Sequence, residues 1–226
     1  VSNLVMEVSS RALAQHRADA VNFNMGVFTN LTHEHLDYHG DMDNYAQAKY
    51  RLFRFDSMDH GVVNIDNVYG RALLDEGLSL DWVAYSLVKS EKDNIPIVYP
   101  ASLVQTKFGY TAELVTPWGD GEFRIPLLGK FNVSNVLAVI CCLGVMGCPI
   151  SEMQGAVEAM VGVKGRMQVI SRKGQPLVLV DYAHTPDALE NVLVELRARC
   201  SGNIWRMFGC GGGRDKGKRA LLGAVA

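Results

Sequence analysis

Met25-Gly26-Val27-Phe28-Thr29, then a helical pattern from Asp43 to Phe55, then Val62-Val63-Asn64-Ile65: this stretch decides the fold. The two outer runs are short and apolar, the length of buried strands. Between them Tyr45, Ala48, Leu52 and Phe55 recur at helical spacing. Strand, helix and strand in that order predict a parallel sheet with helical cover, an α/β architecture. Leu4 to Val8 and Trp82 to Ser86 read as further strands of the same sheet. From Ile97 to Leu127 the helices drop out. Thr116-Pro117 and Gly119-Asp120-Gly121 mark turns there, so a small antiparallel sheet is expected.

Two helices follow. Asn132 or Ser134 can cap the first, and Ser151 with Gln154 forms a capping box for the second. The Gly-rich passage from Gly162 to Gly165 reads as a hinge, after which strands resume at Met167–Ser171 and Leu177–Val180. Thr185-Pro186-Asp187 is a helix start: a capping hydroxyl, a proline in the first turn and an acid near the positive end of the helix dipole. Ile204 to Phe208 reads as one more strand. The expected organisation is residues 1–164 as one α/β domain and residues 165–226 as the beginning of a second, Rossmann-like one. The chain opens on Val1 and stops within a helical pattern, so both ends read as cut.

Composition narrows the class. Of 226 residues, 48% are hydrophobic and 20% charged, values of a globular protein, and the formal net charge of −2 argues against a nucleic-acid surface. No apolar run has the ~18 residues needed to cross a bilayer. Five cysteines, an odd number without C-x-x-C spacing and with apolar neighbours, suit reduced structural thiols better than a disulfide framework.

Three constellations could carry chemistry. Thr32-His33-Glu34-His35-Leu36-Asp37-Tyr38-His39-Gly40 follows a strand and nearly matches the H-x-H-x-D-H signature of metallo-β-lactamase-fold zinc hydrolases. Tyr38 stands where that signature needs a histidine, and only His60 and His184 remain downstream as further histidine ligands. The plainer reading is a solvated histidine loop. Lys49 lies on the apolar face of its helix. It is either a lysine with a buried stem and a wet amine, or an amine whose burial lowers its pKa enough to react with CO2 and become a metal-binding carbamate. Gly212 to Lys218 fits the phosphate-loop template G-x-x-x-x-G-K, but Arg219 replaces the hydroxyl residue that should hold magnesium. A cationic glycine turn before a helix still suits an anion.

Taken together these segments resemble the Mur ligases, most closely the MurE type. The resemblance rests on Met6-Glu7-Val8-Ser9-Ser10 with Gln15-His16-Arg17; on Thr29-Asn30-Leu31 and His35 to Asp41; and on Ala48-Lys49. It continues through Gly129 with Phe131 to Asn135, Gly165-Arg166-Met167, Asp181 to Leu189, and Gly209 to Gly212 with Arg214 to Arg219. Seven motifs in the family's order span nearly the whole chain.

The resemblance implies an ATP-dependent amide ligase of peptidoglycan precursor synthesis. Its ATP phosphorylates the carboxylate of UDP-N-acetylmuramoyl-L-alanyl-D-glutamate, and the amine of meso-diaminopimelate or L-lysine then attacks. By similarity Glu7, His35 and carbamylated Lys49 hold Mg2+ and form the catalytic centre. Asn132, Asn135, Arg166, Asp181 and His184 bind ATP. Ser9, Gln15 and Arg17 contact the UDP-muramoyl substrate, and Arg214 contacts the incoming amino acid. The resemblance also implies a cytoplasmic protein, monomeric when full length, without nucleic-acid partner or membrane insertion. Gly213 departs from the acidic or amide residue expected there. The family's phosphate loop, uridine-binding domain and amino-acid-selecting motif do not occur in this stretch, so the chain by itself is expected to be inactive. The competing expectations are the zinc hydrolase and a non-catalytic, ligase-like binding module.

Overall fold

The structure is a computed structural model that describes residues 3–33, 35–89, 95–170, 174–209 and 217–225. Its main sheet runs, in spatial as in chain order, β1 (Met25–Phe28), β2 (His60–Asn64), β3 (Asp81–Tyr85), β4 (Ile97–Thr106), β5 (Gly109–Val115) and β6 (Gly121–Ile125). β1 to β4 are parallel, with Val27 beside Val62 and Val62 beside Val83. β4 to β6 are antiparallel. One strand serves both patterns: Ile97 and Val98 of β4 pair parallel with β3, while Tyr99 to Thr106 pair antiparallel with β5. The register shifts between Pro100 and Ser102, where a residue without a backbone N–H sits comfortably at a bulge.

Neighbouring residues of a strand point to opposite faces, and the middle of the parallel strands is covered on both, so Val62, Val63, Val83 and Ala84 are all buried while His60, Asn64 and Asp81 stand at the strand ends. Val62, Val83, Tyr85 and Val98 face α5 (Lys130–Val145) and α6 (Ile150–Glu158), packing on Val133, Leu137, Ile140, Met153 and Val157 together with Phe123 and Ile125 of the antiparallel strands. Val63 and Ala84 face the other way, against Tyr45, Ala46 and Tyr50 of α3 (Met42–Tyr50), Phe53 of the following 3-10 turn (Arg51–Arg54) and Leu73 of α4 (Val68–Asp75).

The expected Asp43–Phe55 helix thus ends early in a tighter turn, and its buried side is Tyr45, Ala46, Ala48 and Tyr50 with Phe53 rather than Leu52 and Phe55. Two caps differ from expectation. α5 starts at Gly129, not at Asn132 or Ser134, and α6 starts after Pro149 without a side-chain cap. Gln154 donates instead to the Glu122 carbonyl at 2.9 Å, so it ties α6 to β6. Leu4 to Val8 and Ile204 to Phe208 are not strands. Among the described residues neither has a ladder partner, and Val5 (96% exposed) and Trp205 (91%) lie open.

The later residues carry a short antiparallel ladder, β7 (Gln168–Val169) with β8 (Leu179–Val180), then α7 (Pro186–Arg199) and α8 (Gly217–Val225). α7 begins as its sequence prescribes: Thr185 Oγ1 accepts from the Ala188 N–H at 3.2 Å, and Pro186 occupies the first turn. Two contacts among the described residues tie this part to the preceding one. Leu128, Met167 and Val192 form one small apolar cluster. Beside it Tyr110 Oη donates to Glu195 Oε1 at 2.5 Å and Arg199 Nε donates to the same oxygen at 2.6 Å, with both charged side chains buried.

Cys141, Cys142, Cys148 and Cys200 are free thiols; Cys210 lies outside the described residues. Burial pushes the Cys142 thiol up to about 11 and the Cys141 thiol well above its usual range, so both stay protonated and unreactive.

Candidate active site

The segment before β1 is organised by α1 (Ser10–Ala14). Ser9 is its N-cap, and the Ser9 Oγ accepts from the Ala12 N–H at 3.2 Å. That bond leaves a lone pair and the hydroxyl proton for a ligand. Gln15 donates to Tyr38 Oη at 3.3 Å, and Arg17 is exposed just beyond. Glu7 is exposed on the approach to α1.

The histidine motif folds into a single turn, α2 (Leu36–His39), with left-handed backbone at both ends: His35 at φ 59° and Gly40 at φ 84°. A left-handed histidine costs about 1–2 kcal/mol, the kind of strain found where a side chain must be aimed. It is aimed at Tyr45. The His35 ring meets the Tyr45 ring edge-on at 5.9 Å, His39 stacks on it at 5.0 Å, and Lys49 Nζ lies 5.5 Å from its centre. Burial first, then the charges of His35 and Arg11, hold the His39 imidazole below its ordinary value against the opposing pull of Asp37. His39 is therefore neutral near pH 7.

Among the described residues no three His, Cys, Asp or Glu side chains gather closely enough to hold a metal ion. Glu34 lies outside those residues. An imidazole and an amine around one ring are a poor donor set for magnesium, which prefers oxygen. A carbamate on Lys49 would add two oxygens on a long arm, so the donor chemistry fits this metal with Lys49 modified and not otherwise.

A second group forms where the later residues meet α5. Gly129, at φ 95°, starts that helix, and a Cβ there would come within 2.6 Å of the Phe131 ring. Asn132 donates to the Leu128 carbonyl at 2.7 Å and its own oxygen accepts from Asn135 at 3.3 Å, so the two amides form one unit at the helix start. Asp181 accepts from the Met167 N–H at 2.7 Å and the Ala183 N–H at 2.8 Å, fastening the turn that carries Arg166. The Arg166 guanidinium lies 5.0 Å over the Tyr182 ring, which is itself 5.2 Å from the His184 ring. Met167, left-handed at φ 46°, packs with Leu128, so this exposed stack and the α5 start adjoin.

The candidate residues thus fall into two groups, one around Tyr45 and α1, the other around Tyr182 and α5. Arg214 and most of the glycine-rich turn lie outside the described residues. From sequence Tyr45 reads as a buried helix position, and His39 and Tyr182 as members of their motifs without a role of their own; their importance comes from what packs on them, and the density of rings in 35–45 was the available signal. Two surface grooves, one between α7 and residues 203–206, the other between the β4–β5 turn and residues 174–177, are lined by none of the candidate residues.

The comparisons with known proteins agree with one another. The model of the Mur ligase middle domain matches residues 1–143, and that of the Mur ligase glutamate ligase domain matches residues 165–226. The chain is 44% identical over 224 residues to the UDP-N-acetylmuramoyl-L-alanyl-D-glutamate--2,6-diaminopimelate ligase of Coxiella burnetii, covering 99% of this chain and 46% of that protein. It is also 44% identical over 223 residues to the ligase of the same name from Pseudomonas aeruginosa, covering 99% and 45%. A solved structure of a ligase of that name superposes with a TM-score of 0.75 at 37% identity, over 97% of this chain and 45% of that one. A MurF from Acinetobacter baumannii shares the fold at a TM-score of 0.67 and 20% identity, over 79% of this chain and 39% of that one. The chain thus spans somewhat under half the length of these relatives, and the zinc-hydrolase alternative is left without support. With both domain models matched in order and 99% of this chain aligned to each of two such relatives, the chain belongs to the Mur ligase family.

Proposed function

We propose that the full-length protein containing this chain joins meso-diaminopimelate to UDP-N-acetylmuramoyl-L-alanyl-D-glutamate at the expense of ATP, acting as a cytoplasmic monomer. One observation carries the reading: 44% identity that runs through 99% of the chain, and so through all seven motifs, to ligases named for that reaction. A glutamate carboxylate attacks the γ-phosphorus, ADP leaves, and the acyl phosphate is attacked by the amine, which loses a proton as phosphate departs. Two anions must meet, which demands positive charge between them.

The division of labour follows the two groups of residues. Ser9, Gln15 and Arg17 hold the UDP-muramoyl substrate, with Arg17 offering paired N–H donors to its anionic groups. Asn132 and Asn135 receive the adenine end of ATP, while Asp181 takes the ribose beside Arg166 and His184. Arg214 holds the carboxylate of the incoming amino acid. Glu7, His35 and a carbamylated Lys49 would hold Mg2+, which would supply positive charge to offset the repulsion between the two anionic reactants. The boundary between the two domains lies near residue 164.

The test is direct. Full-length protein is given ATP, the UDP-dipeptide and either meso-diaminopimelate or L-lysine, and product mass and ADP release are measured. The tripeptide product with meso-diaminopimelate is expected; no ATP-dependent amide with either amino acid would overturn the proposal. Lys49→Ala is expected to lower kcat by at least ~100-fold, the scale of a lost electrostatic group, with partial recovery when short carboxylic acids are added. Unchanged activity without such acids would refute the carbamate.

A further inference from the structure

Helix α1 and turn α2 are 26 or so residues apart in sequence yet face one another through three side-chain pairs. Arg11 Nη2 donates to Asp37 Oδ2 at 3.0 Å, Gln15 Nε2 donates to Tyr38 Oη at 3.3 Å, and His39 Nε2 is hydrogen-bonded to Ser10 Oγ at 3.0 Å. The first two, an ion pair and a neutral hydrogen bond, are exposed, and water competes with both, so each contributes little. The third is different. Ser10 is only 3% exposed, so its hydroxyl has no ready replacement in water. The same imidazole stacks on Tyr45 with ring planes 13° apart, and Tyr45 is the ring on which His35 and Lys49 converge. His39 therefore stands between two surfaces, with one ring nitrogen on α1 and one ring face on α3.

We propose that His39 is a positioning residue, setting the place of the substrate-binding α1 segment relative to the His35–Lys49 centre through its bond to Ser10. The inference rests on the function proposed above and adds to it a residue that touches neither reactant. Ser10 directly follows Ser9, so a shift of the Ser10 hydroxyl moves the Ser9 side chain with it. The ATP group hangs on other elements, the start of α5 and the turn around Asp181, and receives nothing from this bond. Loss of His39 is thus felt by the UDP-muramoyl substrate and by the chemical step, and not by ATP.

The experiment uses full-length protein with His39→Ala, His39→Gln, Ser10→Ala and the double alanine variant. Expected for His39→Ala is a rise in KM for the UDP-dipeptide of about tenfold, the effect of one buried hydroxyl left unpaired, with KM for ATP within about twofold of the parent. Ser10→Ala should reproduce the change, and the double variant should be no worse than either single one, since all three break the same bond. His39→Gln, whose amide can reach Ser10, should recover most of the loss. Hydrogen exchange read by mass spectrometry should quicken across residues 10–14 in the alanine variants and stay unchanged across residues 130–145.

Equal losses for both substrates, additive single effects, or unaltered exchange in α1 would each overturn the proposal. Should His39→Ala fail to fold, Ser10→Ala removes the bond from the other side with little change in volume and decides the matter. A parent enzyme that forms no tripeptide would defeat the functional reading alone, because the exchange measurement still reports whether His39 holds α1.

Discussion

At the scale of single residues, three non-glycine positions among the described residues have left-handed backbone, His16, His35 and Met167, and each is or adjoins a candidate ligand-binding residue: Gln15 and Arg17, His35 itself, and Arg166. None was legible from residue type: histidine enters that region more readily than most residues but is usually found outside it, and methionine has no leaning toward it, so their surroundings decide. Gly129 is the opposite case, since both its φ and the Phe131 ring forbid a side chain. Gly129→Ala is expected to lower stability by about 1–2 kcal/mol and to weaken ATP binding together with it, because the residue opens the helix that presents Asn132. Thermal unfolding and nucleotide titration check the two effects; an unchanged nucleotide affinity would separate that glycine from the site. The metal and substrate residues could be named only through the family's motifs. The residues that aim them, Tyr45 and His39, are joined by contacts between α1, α2 and α3 that no local spacing encodes.

Elements were legible where their signals are local. β1, β2 and β3 lie within a residue or two of their expected places, β4 to β6 fall inside the stretch from Ile97 to Leu127 that was expected to be antiparallel, and the switch in pairing followed from the loss of helices after Ile97. Thr185 caps α7 as its sequence promised, and Thr185→Ala is expected to cost about 1 kcal/mol, read as a fall in Tm. The caps of α5 and α6 misled for a common reason. Asn132 and Gln154 are polar groups of the right type near a helix start, but each is claimed by a carbonyl, that of Leu128 and of Glu122. Leu4 to Val8 and Ile204 to Phe208 have strand composition without a strand's neighbours, and composition alone does not supply a ladder.

For the whole molecule the Glu195 cluster matters most. Tyr110 and Arg199 donate to one carboxylate oxygen, the Lys130 N–H approaches the other at 3.4 Å, and Arg199 also donates to the Thr106 carbonyl at 2.8 Å. Burial pushes the Glu195 carboxyl up, but the bonds from Tyr110 and Arg199 outweigh it and hold the group below the usual carboxylate range. A depressed folded-state value means that the contribution is complete above the ordinary carboxylate pKa. It is lost as pH falls through the lowered value. Glu195→Gln is therefore expected to flatten the acid side of the stability profile. Glu195→Ala, which strands a buried guanidinium, should cost about 3 kcal/mol at neutral pH. Chemical denaturation at several pH values tests both, and parallel acid profiles for parent and Glu195→Gln would count against the assignment.

The shared strand β4 gives that cluster a longer reach. Arg199 grips the carbonyl at the far end of β4, while the near end of the same strand lies in the parallel ladder. Any load that α7 applies therefore enters at a hairpin tip and travels along covalent backbone, past one bulge, into the middle of the sheet. The strand works as a strut, and the bulge at Pro100–Ser102 is the only joint in it.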